Sequence, residues 1–162
     1  MSPARRDAAD ARRRLRDSLG ALSRITGSAR LDRRVSARSG VPIGFAAYAV
    51  LGRVVADGPL RMSDLAANAR MLPAALTRQV QALEAEGYIE RRSDPADGRA
   101  AVVEATAAGR TAYADVDEAN DGIMSEQLAD WSSEELWELV DRLERLIHDL
   151  RSGPDVRGAE AG

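Results

Sequence analysis

Thr77, Arg78, Gln79 and Gln81 are the residues of this chain best equipped for chemistry, and that chemistry is recognition. Hydroxyl, guanidinium and amide groups of this kind can bond base edges or phosphates in a major groove, which has room for one helix. Leu76, Val80, Leu83 and Gly87 recur among them at helical spacing, so one face can pack while the other reads. Farther along, Arg99 closes the run DPADGR, whose proline, aspartates and glycine suit a reversing loop. On the tip of a hairpin, that long planar cation can enter the narrow and strongly negative minor groove. Asp97 has the wrong charge for phosphate and is expected to hold the turn or an arginine by hydrogen bonds. Ser63, Pro73, Ala74, Ala75, Arg91 and Arg92 complete the set assigned to a duplex.

Positioning these groups requires a helix, a strand, a tight charged turn, a second strand and a new helix between Leu72 and Arg110. The helix ends at Gly87, and the period becomes that of a strand from Tyr88 to Arg92. The fold class that follows is mainly α (α+β), a winged helix-turn-helix with a two-stranded β wing, flanked by N- and C-terminal helices. The DNA-binding lobe is expected over about residues 60–105.

The run from Met62 to Arg110 resembles the DNA-binding core of the MarR family of bacterial transcription regulators. The landmarks are a short helix, SDLAANARM, a recognition helix with Thr77 and Arg78, a wing tip of Asp97, Gly98 and Arg99, and a helix start with Thr106, Gly109 and Arg110. Two departures stand out. Arg70 occupies a turn position where the family usually has glycine, and Leu72 replaces a serine or threonine. Leucine cannot cap a helix, a loss of about 0.5–2 kcal/mol that Pro73 offsets only by fixing the backbone angle. Ala74 and Ala75 replace a polar pair and can meet thymine methyls, leaving readout to lean on Arg78 and Gln79. The resemblance implies a DNA-binding transcription regulator, commonly a repressor; the apolar first turn keeps open a dimeric interaction module without specific DNA binding.

Charge supports this division of labour. The 162 residues carry a net charge of −3 with 44 % hydrophobic and 30 % charged residues, as expected for one globular domain. Residues 1–110 hold 19 Arg and 12 acids, an excess of +7, whereas residues 111–162 hold 4 Arg and 14 acids, an excess of −10. A local patch governs attraction to phosphate more than the total does. Much of the basic excess precedes the reading helix, at residues 5–6, 12–14 and 33–34, where a solvated helix face explains it equally well. The sequence shows neither a membrane span nor a signal peptide, so a cytoplasmic location is expected.

The rest of the chain reads as helices that build a dimer, over about residues 8–38 and 106–152, with a disordered tail over 153–162. A helix from about Ala8 to Arg30 carries a stripe that includes Leu15, Leu19 and Leu22. A central buried helix is expected from Pro42 to Ala56, then a long one capped by Thr106 and a last one with a Ser132/Glu135 capping box. The last helix bears Leu136, Leu139, Val140, Leu143, Leu146, Ile147 and Leu150, close to heptad spacing. A twofold dimer would set two reading helices about 34–36 Å apart on an inverted repeat. An obligate interface of ~2,000 Å² or more is expected, the alternative being that these helices pack within one chain.

Sensor and enzyme chemistries are mostly excluded. With zero Cys there is no thiol to oxidise, and His148 alone makes a poor metal site. No cofactor is expected. The resemblance implies a small aromatic or phenolic effector, for which Phe45, Tyr48, Arg53 and Tyr113 are the candidate lining. Neither a Gly-rich phosphate loop nor a partnered nucleophile is evident, so an enzyme is not expected.

Overall fold

The computed structural model describes residues 7–69, 71–94 and 101–152. Helices α1 (Ala8–Thr26), α2 (Ala29–Ser39) and α3 (Phe45–Asp57) precede strand β1 (Leu60–Arg61). Helices α4 (Met62–Ala69) and α5 (Pro73–Ala85), strands β2 (Ile89–Ser93) and β3 (Ala101–Ala105), and helices α6 (Ala107–Gln127) and α7 (Ser133–Arg151) follow. The chain divides into two units after Ile123.

In the first unit, the helix expected to run to Arg30 is interrupted at Gly27. Ser28 restarts it as α2 by accepting the Leu31 N–H on its Oγ at 3.3 Å. The central helix begins at Phe45, three residues later than Pro42. Its N-cap, Gly44, has no side chain to offer; Asp32 of α2 caps from a distance by accepting the Phe45 N–H at 3.1 Å.

Ala47, Val50, Leu51 and Val54 make α3 the centre of the core, where Leu65, Leu76, Val80, Leu83, Ile89 and Val103 meet it. These ten apolar side chains give the helix-turn-helix its rigidity, since burial contributes about 1.5–3 kcal/mol for each large one. The wing is antiparallel, with Ile89 opposite Ala105 and Arg91 opposite Val103. It contains one strand more than expected: β1 pairs with β3, Leu60 opposite Val103, giving the order β1-β3-β2.

The second unit contains the end of α6 and α7. The capping box is present, with the Glu135 N–H donating to Ser132 Oγ at 3.2 Å and the Ser132 N–H to Glu135 Oε2 at 2.8 Å. Every residue of α7 is exposed or half-buried.

Candidate nucleic-acid interface

The reading helix α5 is built as its spacing predicts. Leu76, Val80 and Leu83 are buried on one side, and Arg78 stands opposite them, exposed and without a partner among the described residues. Ala74 and Gln81 share its outer face and are exposed. Thr77 is half-buried on one flank, and its hydroxyl donates to Pro73 O at 2.8 Å, so only its lone pairs remain to accept from a ligand. Gln79 and Ala75 lie nearer the core; Gln79 shares a groove with Asp32, Gly44 and Phe45. Ser63, in the first turn of α4, is exposed and donates to Asp64 at 3.3 Å.

The start of α5 shows how the sequence departs from a capped helix. Leu72, the N-cap, makes no side-chain bond and is 78 % exposed, and Pro73 follows it. The far end closes with a Schellman motif: the Tyr88 N–H reaches Leu83 O at 2.9 Å and the Gly87 N–H reaches Glu84 O at 3.0 Å. Gly87 permits this with φ +74°.

Thr106 then ties the wing back to that end. Its hydroxyl donates to Gly87 O at 2.7 Å and accepts the Gly109 N–H at 3.0 Å, while its own N–H donates to Tyr88 O at 3.0 Å. Gly109 is needed because a Cβ there would overlap the Tyr88 carbonyl. The Thr-x-x-Gly spacing therefore fixes the distance between reading helix and wing.

The two arginines of β2 are already engaged. Arg91 Nε donates to Glu84 Oε2 of α5 at 3.1 Å. Arg92 lies 2.5 Å from Glu90 and 3.4 Å from Glu104, and the hydrogen bond it donates to Glu90, with the charge of Glu104, raises its pKa above the ordinary arginine value. Asp97 and Arg99 lie outside the described residues. Sequence reasoning missed Asp94, the only buried charged side chain among the described residues, which pairs with Arg61. Its signal was the Asp-Pro dipeptide, read only as the start of a turn.

The effector candidates divide. Tyr48 and Tyr113 stack on each other, with ring centroids 5.1 Å apart and planes 9° from parallel, above Gly52, where a Cβ would strike the Tyr113 ring. The Tyr48 hydroxyl donates to Asp117 at 2.6 Å. Burial, then that bond and Tyr113, push its pKa well above the ordinary tyrosine value. Arg53 pairs with Asp57 at 2.7 Å. Phe45 and Tyr48 do border one cavity, with Leu31, Val35 and Val116, but at about 20 Å³ it holds roughly one water.

The residues assigned to an interface are all exposed or half-buried. Leu15 and Leu22 of α1 are 43 % and 50 % exposed, with Leu19 half-buried between them. On α7, Leu139, Val140, Ile147 and Leu150 are exposed, and Leu136, Leu143 and Leu146 are half-buried.

A helix-turn-helix with an antiparallel wing locked to its second helix defines a winged-helix protein. Comparisons narrow the class. A model of the MarR family matches residues 46–101. YxaD of Bacillus subtilis (strain 168), an uncharacterized HTH-type transcriptional regulator, is 30 % identical over 105 residues, 63 % of this chain and 73 % of YxaD. YdgJ of the same organism, also an uncharacterized HTH-type transcriptional regulator, is 32 % identical over 93 residues; the match spans 57 % of this chain and 57 % of YdgJ. A mutant MarR from E. coli complexed with operator DNA shares the fold, with a TM-score of 0.63 at 22 % identity over 80 % of this chain and 93 % of that one. The chain belongs to the MarR family, a family of transcription regulators. Among the described residues, no helix is long and apolar enough to cross a membrane.

Proposed function

We propose that the protein is a sequence-specific DNA-binding transcription regulator that acts as a homodimer on an inverted repeat, as a repressor. The observation that carries this reading is Arg78, exposed and without a partner among the described residues, on the outer face of a helix whose opposite face is fully packed. A rigid helix presenting a free guanidinium can place it bidentate on guanine O6 and N7. The operator complex of the E. coli fold relative supports a duplex as the ligand. Gln81 flanks Arg78, and the sequence adds Arg99 as the minor-groove contact.

Dimerisation draws its support from α1 and α7. Exposed leucines on amphipathic helices of 19 residues each leave apolar surface that water solvates poorly. A second copy would cover both stripes and pair two reading helices. An aromatic effector is the least supported part, because Tyr48 and Tyr113 fill each other's space; ligand response would require that stack to open.

A fragment of the gene's own upstream region should shift in a gel at nanomolar protein, with affinity falling steeply as salt rises. Equal affinity for mixed-sequence DNA would favour the second reading, an interaction module, to which the exposed apolar turn Leu72-Pro73-Ala74 gives its one specific support.

A further inference from the structure

We infer that Glu84 competes with DNA phosphate for Arg91 and thereby sets the affinity of the reading surface for any duplex, an inference that rests on the DNA-binding reading above. Glu84 lies two helical turns beyond Thr77, so both occupy the same flank of α5. From there its carboxylate meets Arg91 on β2, Nε to Oε2 at 3.1 Å, with the two side chains 38 % and 39 % exposed. The pair bridges the two elements that a winged helix lays against DNA. At this exposure an ion pair is weak, so a phosphate with its high local charge density can displace the carboxylate.

Displacement has a cost that a free arginine would not carry. When Arg91 turns to phosphate, Glu84 is left charged beside the duplex and attracts a cation of its own, cancelling part of the counterion release that drives association. Arg92 differs in kind, since Glu90 and Glu104 hold it within the sheet itself. Arg78 differs again, having no partner among the described residues. Among the described residues, the surface therefore contains Arg78 as an available cation and Arg91 as one held in check by its own protein.

Glu84→Gln keeps the shape of the side chain and removes its charge. With the full-length protein, mixed-sequence duplex DNA and the upstream fragment as probes, this variant should bind both about three- to tenfold more tightly. The slope of log affinity against log salt should steepen by roughly 0.9, one additional phosphate contact. Losing any nearby acid also strengthens binding through the long-range field, and Glu86→Gln, at an exposed residue one turn-end away, measures that part alone. The decisive arm is a double-mutant cycle. In an Arg91→Gln background, the gain from Glu84→Gln should shrink to that of Glu86→Gln. An undiminished gain in that background, or equal gains from the two glutamate variants, would overturn the inference while leaving DNA binding intact. Loss of salt-dependent binding in the wild type and every variant would overturn both readings.

Discussion

Arg61 on the first strand holds Asp94, just past the end of β2, its Nε donating to Asp94 Oδ2 at 2.7 Å, and Asp94 is only 9 % exposed. The two residues are 33 positions apart, so the contact joins the entry to the helix-turn-helix with the exit of β2. A carboxylate so covered needs its cation, because an ionised group without one is costly to bury. Asp94→Asn should destabilise the fold by about 1–3 kcal/mol. The combined Arg61→Ala/Asp94→Ala variant should lose less than the single losses added together. Urea midpoints check both, and additive losses would show that the two side chains are not coupled.

Leu72 leaves the first turn of the reading helix without a side-chain cap. Leu72→Ser should supply one and raise stability by about 1 kcal/mol, read as a higher urea midpoint with an unchanged slope. A lower midpoint would mean that the leucine makes contacts the isolated helix end does not account for.

Gly109 offers the opposite experiment. Any Cβ there meets backbone, the Tyr88 carbonyl, which cannot rotate away. Gly109→Ala should therefore cost about 3 kcal/mol, the upper end of what overpacking does. A neutral result would require α6 to shift away from the reading helix end.

Glu135 gives α7 a pH dependence. Its hydrogen bonds from the Ser132 backbone and then the Ser132 hydroxyl lower its pKa below the ordinary carboxylate value. A depressed folded-state pKa contributes stability above the unfolded pKa, and that contribution disappears as pH falls through the folded value. Glu135→Gln can still complete a capping box but cannot titrate. Melting temperatures of wild type and Glu135→Gln should differ most near neutral pH and converge as the pH falls below the ordinary carboxylate range. A gap that widened on acidification would contradict the assignment.

Features encoded within four or five residues were legible in the sequence. The packed face of α5, the Gly87 stop, the Thr106 cap and the Ser132/Glu135 box each depend on spacing along one turn of helix, and each is found. The break at Gly27 is hidden in the sequence because the apolar stripe runs on to Ile25 and masks the Gly-Ser signal behind it. What the sequence concealed depends on partners brought together by folding. The strand β1 is two residues long and gains its identity only from Val102 and Val103. The carboxylate of Glu84 beside Arg91 is seven positions away and on another element, so its pairing is visible only in the fold. The stacking of Tyr48 on Tyr113 joins residues 65 positions apart, which no spacing along the chain announces.

The account stands on Arg78 as the base-reading group of an exposed helix, and one measurement tests it directly. Binding of wild type and Arg78→Ala should be compared on the upstream fragment and on versions with each half-site position substituted. The variant is expected to lose about 1–3 kcal/mol on the native fragment and to become indifferent to the base at one position per half-site, keeping its preference at the others. Unchanged affinity with an unchanged pattern of preferences would contradict the reading surface assigned here.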